Sequence, residues 1–362
     1  AGTLVSLSAV LGIAFSVILA ASSGGILRIL QAPAYDEAVL YLRICSAGMF
    51  FVYIYNAFSS MLRAVGDSRT PMRIVIATTI LNAVLDLVFV AGFGMGVAGA
   101  AWATNLSQAI SAVLCAVYIY KKVPALMPEK RHWRFHKGDT RYQLATGIPM
   151  ALQFAITSSG TMVMQSAINL FGSEAVAAYT AAGKIHGLLT QGMVAMGQTM
   201  AVYSGQNYGK GDAGRIRQGV RAALIIEVIY SVASAVVVSA ALGPSLGLFF
   251  SGEVDLAAMM PWARTYTTIC TLFYVPLCTI FIFRNTMQGC GYGFLPMMGG
   301  VVELAARLIV AVIAMDIHSY WLACACDPAA WVGAGLFTGI SYLYVIKKIE
   351  KNLGKGTAVH KS

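Results

Sequence analysis

The stretch RIVIATTILNAVLDLVFVAG, from Arg73 to Gly92, carries one charged side chain after its first residue, Asp86. At a rise of about 1.5 Å per residue, roughly 20 apolar residues in a helix cross the hydrocarbon core of a bilayer. The stretch has that length, and its polar residues Asn82 and Asp86 stand one helical turn apart on one face. It reads as a membrane helix that buries a carboxyl group.

Nine further runs repeat this pattern. Together the ten candidate spans cover about 4–30, 37–61, 73–92, 97–120, 144–171, 176–204, 218–249, 257–283, 294–315 and 320–346. The whole chain agrees, with 362 residues of which 58% are hydrophobic and only 11% charged, and a mean hydropathy of +0.72. A water-soluble surface needs more charge than that. The expected fold is all-α, a polytopic membrane protein.

The net charge of +10 is not a nucleic-acid signature, because the basic residues gather in short loops between apolar runs. One set of loops holds Arg63, Arg69 and Arg73; then Lys121, Lys122, Lys130, Arg131, Arg134, Lys137 and Arg141; then Lys210, Arg215 and Arg217; then Arg284; and a tail with Lys347, Lys348, Lys351, Lys355 and Lys361. The alternate loops hold Asp36, Glu37, Glu174, Glu253, Asp255 and Asp316, with Arg28 near one helix end. The positive-inside rule then places both ends of the chain in the cytoplasm. The seven cysteines lie mostly in apolar runs without zinc-ligand spacing and are expected to pack as small hydrophobes.

An internal repeat organises the spans. Met61 to Met72 aligns with Thr286 to Met297 at a shift of 225, pairing Gly66 with Gly291, Pro71 with Pro296 and Met72 with Met297. Tyr41-Leu42-Arg43 resembles Trp262-Ala263-Arg264, and Ala100-Ala101-Trp102 resembles Ala329-Ala330-Trp331. Parallel halves of this kind are a transporter architecture with a substrate site between them. Spans 1–4 then match spans 7–10, so two more helices are expected ahead of residue 1, making twelve in two pseudo-symmetric six-helix lobes. The expected division is an N-lobe at 1–122, a basic linker at 123–143, a C-lobe at 144–348 and a tail at 349–362.

Ionisable groups inside spans are costly and therefore candidates for function. Asp86 and Asn82 lie at a depth similar to that of Thr104 in the next span, so the three are expected to converge. A carboxylate, an amide oxygen and a hydroxyl suit Na⁺, and the same carboxyl can carry a proton when desolvation favours its neutral form. Glu303 and Arg307 stand at i, i+4, and a structural salt bridge and a functional pair both fit them. Lys184 either faces a central cavity or snorkels outward. Gln153, Gln165, Gln191 and Gln198 offer neutral hydrogen bonds to a substrate or between helices. Met193 is one of several methionines in spans 5 and 6 that suit varied apolar ligands or ordinary packing. Glu227 is expected to pair locally with Arg221, Pro276 to mark a kink, and His186 and His318 to stand alone.

The run Leu62-Arg63-Ala64-Val65-Gly66-Asp67-Ser68-Arg69-Thr70-Pro71-Met72 resembles a loop signature of multidrug and toxic compound extrusion (MATE) transporters. So do Asn82 to Asp86, Gly96 to Thr104, and Gly205 to Asp212. The resemblance covers essentially the whole chain, starting at the family's third helix. It implies two six-helix bundles working by alternating access, as a monomer in the inner membrane, exporting cationic or amphipathic small molecules in exchange for H⁺ or Na⁺. No organic cofactor is implied. Asn82, Asp86 and Thr104 match the N-lobe cation site of the DinF-like branch, which also uses an aspartate in the first helix that this sequence does not contain. The other branch places acids in helices seven and ten, and neither 147–157 nor 274–283 contains one. At the repeat shift Asn82 faces Arg307 and Asp86 faces Ala311, so coupling through the N-lobe is expected. A lipid-linked oligosaccharide flippase of the same superfamily is the alternative, though its arginine-rich cavity has no counterpart among these spans. An intramembrane enzyme lacks any nucleophile triad or metal-spaced histidines here.

Overall fold

In hydrocarbon every backbone N–H and C=O must be satisfied within its own segment, and a helix does this without help from neighbours. The computed structural model, which describes residues 1–29, 34–127, 133, 136–249 and 256–354, is built that way. Its helices are α1 (Gly2–Ile29), α2 (Tyr35–Ala64), α3 (Arg69–Asp86), α4 (Gly96–Lys122), α5 (Lys137–Ile168), α6 (Ser173–Gly209), α7 (Ala213–Phe249), α8 (Leu256–Leu272), α9 (Tyr274–Gly289), α10 (Phe294–Asp316) and α11 (Tyr320–Gly354). A π-helical turn, Leu87–Gly92, prolongs α3. Among the described residues there is no strand.

The ten expected spans correspond to ten rods, because α8 and α9 form one rod bent by 50°. The bend falls at Phe273, three residues before Pro276, whose missing N–H interrupts the helical ladder. Among the described residues, seven helices are long and apolar enough to cross a membrane, or eight counting the bent pair. The other two, α5 and α6, have 32 and 37 residues but are more polar. Several helices outrun the expected spans: α5 starts at Lys137 and α11 runs to Gly354. Hydropathy marks only the section in hydrocarbon, whereas the helix continues into the interface with its backbone already satisfied.

Of the charges used to orient the chain, Lys130, Arg131, Arg134, Glu253, Asp255, Lys355 and Lys361 lie outside the described residues. Arg284 is a correction. It does not open a loop but sits buried in α9, 2.7 Å from Glu303, because that carboxylate on α10 draws it inward.

The chain divides into two compact units, Ala1–Leu144 and Ala145–Ser362. In the first, α2 packs on α1 and α4, and α3 packs on α4. In the second, the same order of pairings recurs: α9 packs on α7 and α11, and α10 packs on α11. The second unit's apolar core also draws in α6 and α8, with Met193, Tyr266, Tyr274 and Trp331 among its members. Six of the seven cysteines are buried as free thiols, and Cys45 is partly buried.

The repeat is visible atom by atom in the loops. Gly66 (φ 93°) donates to Arg63 O at 3.0 Å, and Asp67 N donates to Leu62 O at 3.0 Å. At the shift of 225, Gly291 (φ 84°) donates to Gln288 O at 2.9 Å, and Tyr292 N donates to Met287 O at 3.0 Å. The α6–α7 junction follows the same scheme, with Gly211 (φ 74°) donating to Tyr208 O and Asp212 N to Asn207 O. Each is a left-handed glycine closing the last helical turn, a conformation that costs a residue with a side chain roughly 1–2 kcal/mol. Asp67 and Asp212 then cap the next helix, accepting from Thr70 N at 3.0 Å and Arg215 N at 2.9 Å. Partial burial pushes the Asp67 carboxyl up, but hydrogen bonds from Thr70 and Tyr118 outweigh it and hold the group below its ordinary range.

Gly66→Ala and Gly291→Ala are each expected to lower stability by about 1–2 kcal/mol. Gly25→Ala, about one turn before the end of α1 and with open space around it, should raise stability by roughly 0.5–1 kcal/mol. Thermal unfolding in detergent measures all three. The contribution of Asp67 is full above the unfolded carboxyl pKa and is lost as pH falls through the lower folded value, so Asp67→Asn should flatten the acid limb of the stability curve.

Candidate functional site

Asp86 is the last α-helical residue of α3, and the π-helical turn begins at the next residue. Single π-helical turns inside helices recur at functional sites. One carboxylate oxygen, Oδ1, is buried without a hydrogen-bond partner, and so is Nδ2 of Asn82 one turn earlier. An amide with no partner leaves its O/N orientation unfixed, so either atom of Asn82 fits that position. Thr104 is half-buried on α4, and its hydroxyl donates to Ala100 O at 3.0 Å, leaving oxygen lone pairs for another partner. Among the described residues no hydrogen bond joins these three side chains. Tyr41 of α2 lies within electrostatic reach of Asp86, a neighbour that sequence spacing did not suggest.

The second unit handles its intramembrane charges differently. Arg284 Nη2 lies 2.7 Å from Glu303 Oε1, Arg307 Nη1 lies 3.5 Å from Glu303 Oε2, and Arg307 Nε lies 2.7 Å from Asp327 Oδ1. Two cations and two anions thus alternate across α9, α10 and α11, with exposures of at most 13%. Glu303 and Arg307 do pair along α10, but the shorter bonds are the ones between helices. Gly160 of α5 makes room for the guanidinium, since a Cβ there would lie 2.8 Å from Arg307 Nη1. Asp327, twenty residues from Arg307, carries one signal in the sequence, that of an acid inside an apolar span.

The remaining candidates scatter. Gln153 is buried and accepts from Gln288 Nε2 at 2.9 Å, and Gln165 donates to Asn169 at 2.9 Å, in the short turn that follows α5. Lys184 and Gln191 are exposed on α6, whereas Met193 is fully enclosed in the apolar core. His186 does not stand alone. Its Nδ1 is 2.8 Å from the Tyr274 hydroxyl, and its ring stacks on Trp331 at 5.6 Å. Trp102, the counterpart of Trp331 in the repeat, is 50% exposed.

The expected pairing of Glu227 with Arg221 is also corrected. Arg221 points to the exposed side of α7, while Glu227 is buried with Oε2 unpartnered, one turn from the equally orphaned Ser231 Oγ. Six residues of helix put the two on different faces, which spacing alone concealed. Among the described residues, no three His, Cys, Asp or Glu side chains gather as a metal site.

Two compact helical units with repeated pairings, long apolar helices and buried ionisable side chains define a polytopic α-helical membrane protein. The chain belongs to the MatE family, which it matches over residues 1–88 and 149–313. It is 34% identical over 195 residues to the probable multidrug resistance protein YpnP of Bacillus subtilis, covering 53% of this chain and 43% of that one. It is 27% identical over 316 residues to the probable multidrug resistance protein NorM of Thermotoga maritima, covering 84% and 64%. The chain thus spans less than two thirds of the length of either relative. Its fold matches a solved MATE structure in complex with MaD5 at TM-score 0.87, with 21% identity, covering 96% of this chain and 79% of that one. A multidrug resistance MATE family transporter in an outward-facing conformation matches at TM-score 0.84, also with 21% identity, covering 97% and 78%.

Removing one partner from the buried ion chain, as in Arg307→Met, is expected to cost about 3–5 kcal/mol, because Asp327 is left uncompensated. The double variant Arg307→Met/Asp327→Leu should recover most of that loss. Glu227→Gln should leave stability unchanged or raise it, since it removes an unpartnered carboxyl. Thermal denaturation of the purified variants separates these outcomes, and a large loss for Glu227→Gln would reveal a partner.

Proposed function

We propose that this protein is part of a cation-coupled antiporter that exports small organic compounds, cationic or amphipathic in character, across the inner membrane. The observation that carries the reading is the buried, unpartnered Oδ1 of Asp86 in a span of a MatE-family chain. An uncompensated carboxylate in hydrocarbon has to bind something, and H⁺ and Na⁺ are the cations its oxygen neighbours suit. The ion chain of the second unit is internally neutral, so a cation has less to gain there. Relatives named as multidrug resistance proteins support a role in handling varied small compounds.

In this reading the protein works as a monomer by alternating access, with its C-terminus in the cytoplasm. A cation drives the cycle only to the extent that it binds one access state better than the other, and each tenfold ratio corresponds to about 1.4 kcal/mol. Asn82 and Thr104 supply neutral oxygens beside Asp86. The π-helical turn that follows gives that stretch of helix a second hydrogen-bonding register to switch into.

Asp86→Asn is expected to abolish export of a fluorescent cation driven by ΔpH or by a sodium gradient, with normal membrane insertion. Asn82→Ala and Thr104→Ala should each weaken the cation dependence roughly tenfold, the loss of one oxygen to a charged partner. Export by Asp86→Asn at the native rate under either gradient would refute the coupling role.

A further inference from the structure

A groove runs along unit 2 from one end of its helices into the apolar zone. At that end a cavity of about 580 Å³ is lined by Arg217 and Arg221 of α7, Phe283 of α9, and Gly339, Tyr342 and Lys347 of α11. A second hollow of about 450 Å³ continues it between α9 and α11, sharing Phe283, Gly339 and Leu343 with the first. The walls of this continuation include Val275, Pro276, Val332, Leu336 and Ile340, and its polar members are few.

The two parts differ in chemistry as the parts of a phospholipid do. The first has a basic rim. Arg217 is bound to Glu350 at 2.7 Å, but among the described residues neither Arg221 nor Lys347 enters an ion pair, and both side chains are exposed. The rim therefore carries an excess of two positive charges. Its floor is apolar, made by the stacked rings of Phe283 and Tyr342 with centroids 5.1 Å apart. The second part is a slot with glycine on one wall. Gly335 and Gly339 stand one turn apart on α11, and at Gly339 a Cβ would already lie 3.5 Å from the Phe283 ring. The flanks, Leu336 at 65% and Ile340 at 69% exposure, are greasy and open, as a lipid-facing surface is.

We infer that this groove binds one anionic phospholipid, with the phosphodiester at Arg221 and Lys347 and an acyl chain along Gly335 and Gly339. Basic pockets between transmembrane helices hold anionic head groups through charge. The slot contributes apolar burial along the chain. A soluble phosphate compound would fill only the first part. The continuity of the two parts is what commits the site to a lipid. In the orientation proposed above, the lipid belongs to the cytoplasmic leaflet.

The test uses the purified chain in neutral detergent, titrated with phosphatidylglycerol and with phosphatidylcholine of the same acyl chains. Binding is read by native mass spectrometry and by the shift in melting temperature. Phosphatidylglycerol should bind at least tenfold more tightly. Arg221→Gln/Lys347→Gln should remove about thirtyfold of its affinity and leave phosphatidylcholine unaffected. Gly339→Leu fills the slot and should weaken both lipids while keeping the preference for the anionic one. Glycerophosphate, which lacks the chains, should compete poorly. Equal affinity for the two lipids, an unchanged preference in the double variant, or full competition by glycerophosphate would each overturn the proposal. A melting temperature of the lipid-free variants within a few degrees of wild type shows that the fold has survived. If Arg221→Gln/Lys347→Gln unfolds, Arg221→Lys/Lys347→Arg keeps the charge and should retain the preference.

Discussion

An ion placed in hydrocarbon must be compensated, and this constraint shapes both units. Moving a carboxylate or guanidinium out of water costs several kcal/mol even after relaxation. Unit 2 meets the cost by alternating Arg284, Glu303, Arg307 and Asp327 across three helices. Because each charge has a partner on another helix, the same bonds set how α9, α10 and α11 register against one another. Gly160 and Gln153 on α5 are fitted to that arrangement, one by giving room to Arg307 and the other by bonding Gln288. Unit 1 has a carboxyl, Asp86, that no such partner answers. The contrast between an answered and an unanswered charge is why the cation site is proposed in unit 1.

The loops obey a second constraint, that the last carbonyls of a helix find donors. Three junctions solve it with the same left-handed glycine, at Gly66, Gly211 and Gly291. Two of them are related by the shift of 225 that the sequence displays. The third, at Gly211, shares the glycine and the aspartate cap with Gly66 but little else of the surrounding sequence. Turn chemistry that recurs at helix ends keeps consecutive rods antiparallel with only a few residues between them. That leaves the long apolar faces to do the packing.

Much of this was legible in the sequence for physical reasons. Span number follows from apolar length, and the bend near Pro276 follows from a missing N–H. What stayed hidden depended on which way a helix is rotated. Hydropathy counted Arg284 as a loop residue because it lies near the end of an apolar run, and only Glu303 on another helix explains its burial. Glu227 and Arg221 are close in number but point to different faces. Asp327 and Arg307 are twenty residues apart in sequence and 2.7 Å apart in space. His186 looked isolated because its partners Tyr274 and Trp331 come from α9 and α11. Of the three residues expected to form the cation site, Asn82 and Asp86 keep orphaned atoms one turn apart, while Thr104 is bonded to its own helix.

The central assignment is that the unanswered carboxyl of Asp86 holds the coupling cation. Equilibrium binding of ²²Na⁺ to the purified protein, together with proton release on sodium addition, measures this without any transport cycle. The expected result is a stoichiometric cation site that disappears in Asp86→Asn and persists in Arg307→Met/Asp327→Leu. A site that survives in Asp86→Asn and is lost in the double variant would contradict the assignment and move the coupling chemistry to the ion chain of unit 2.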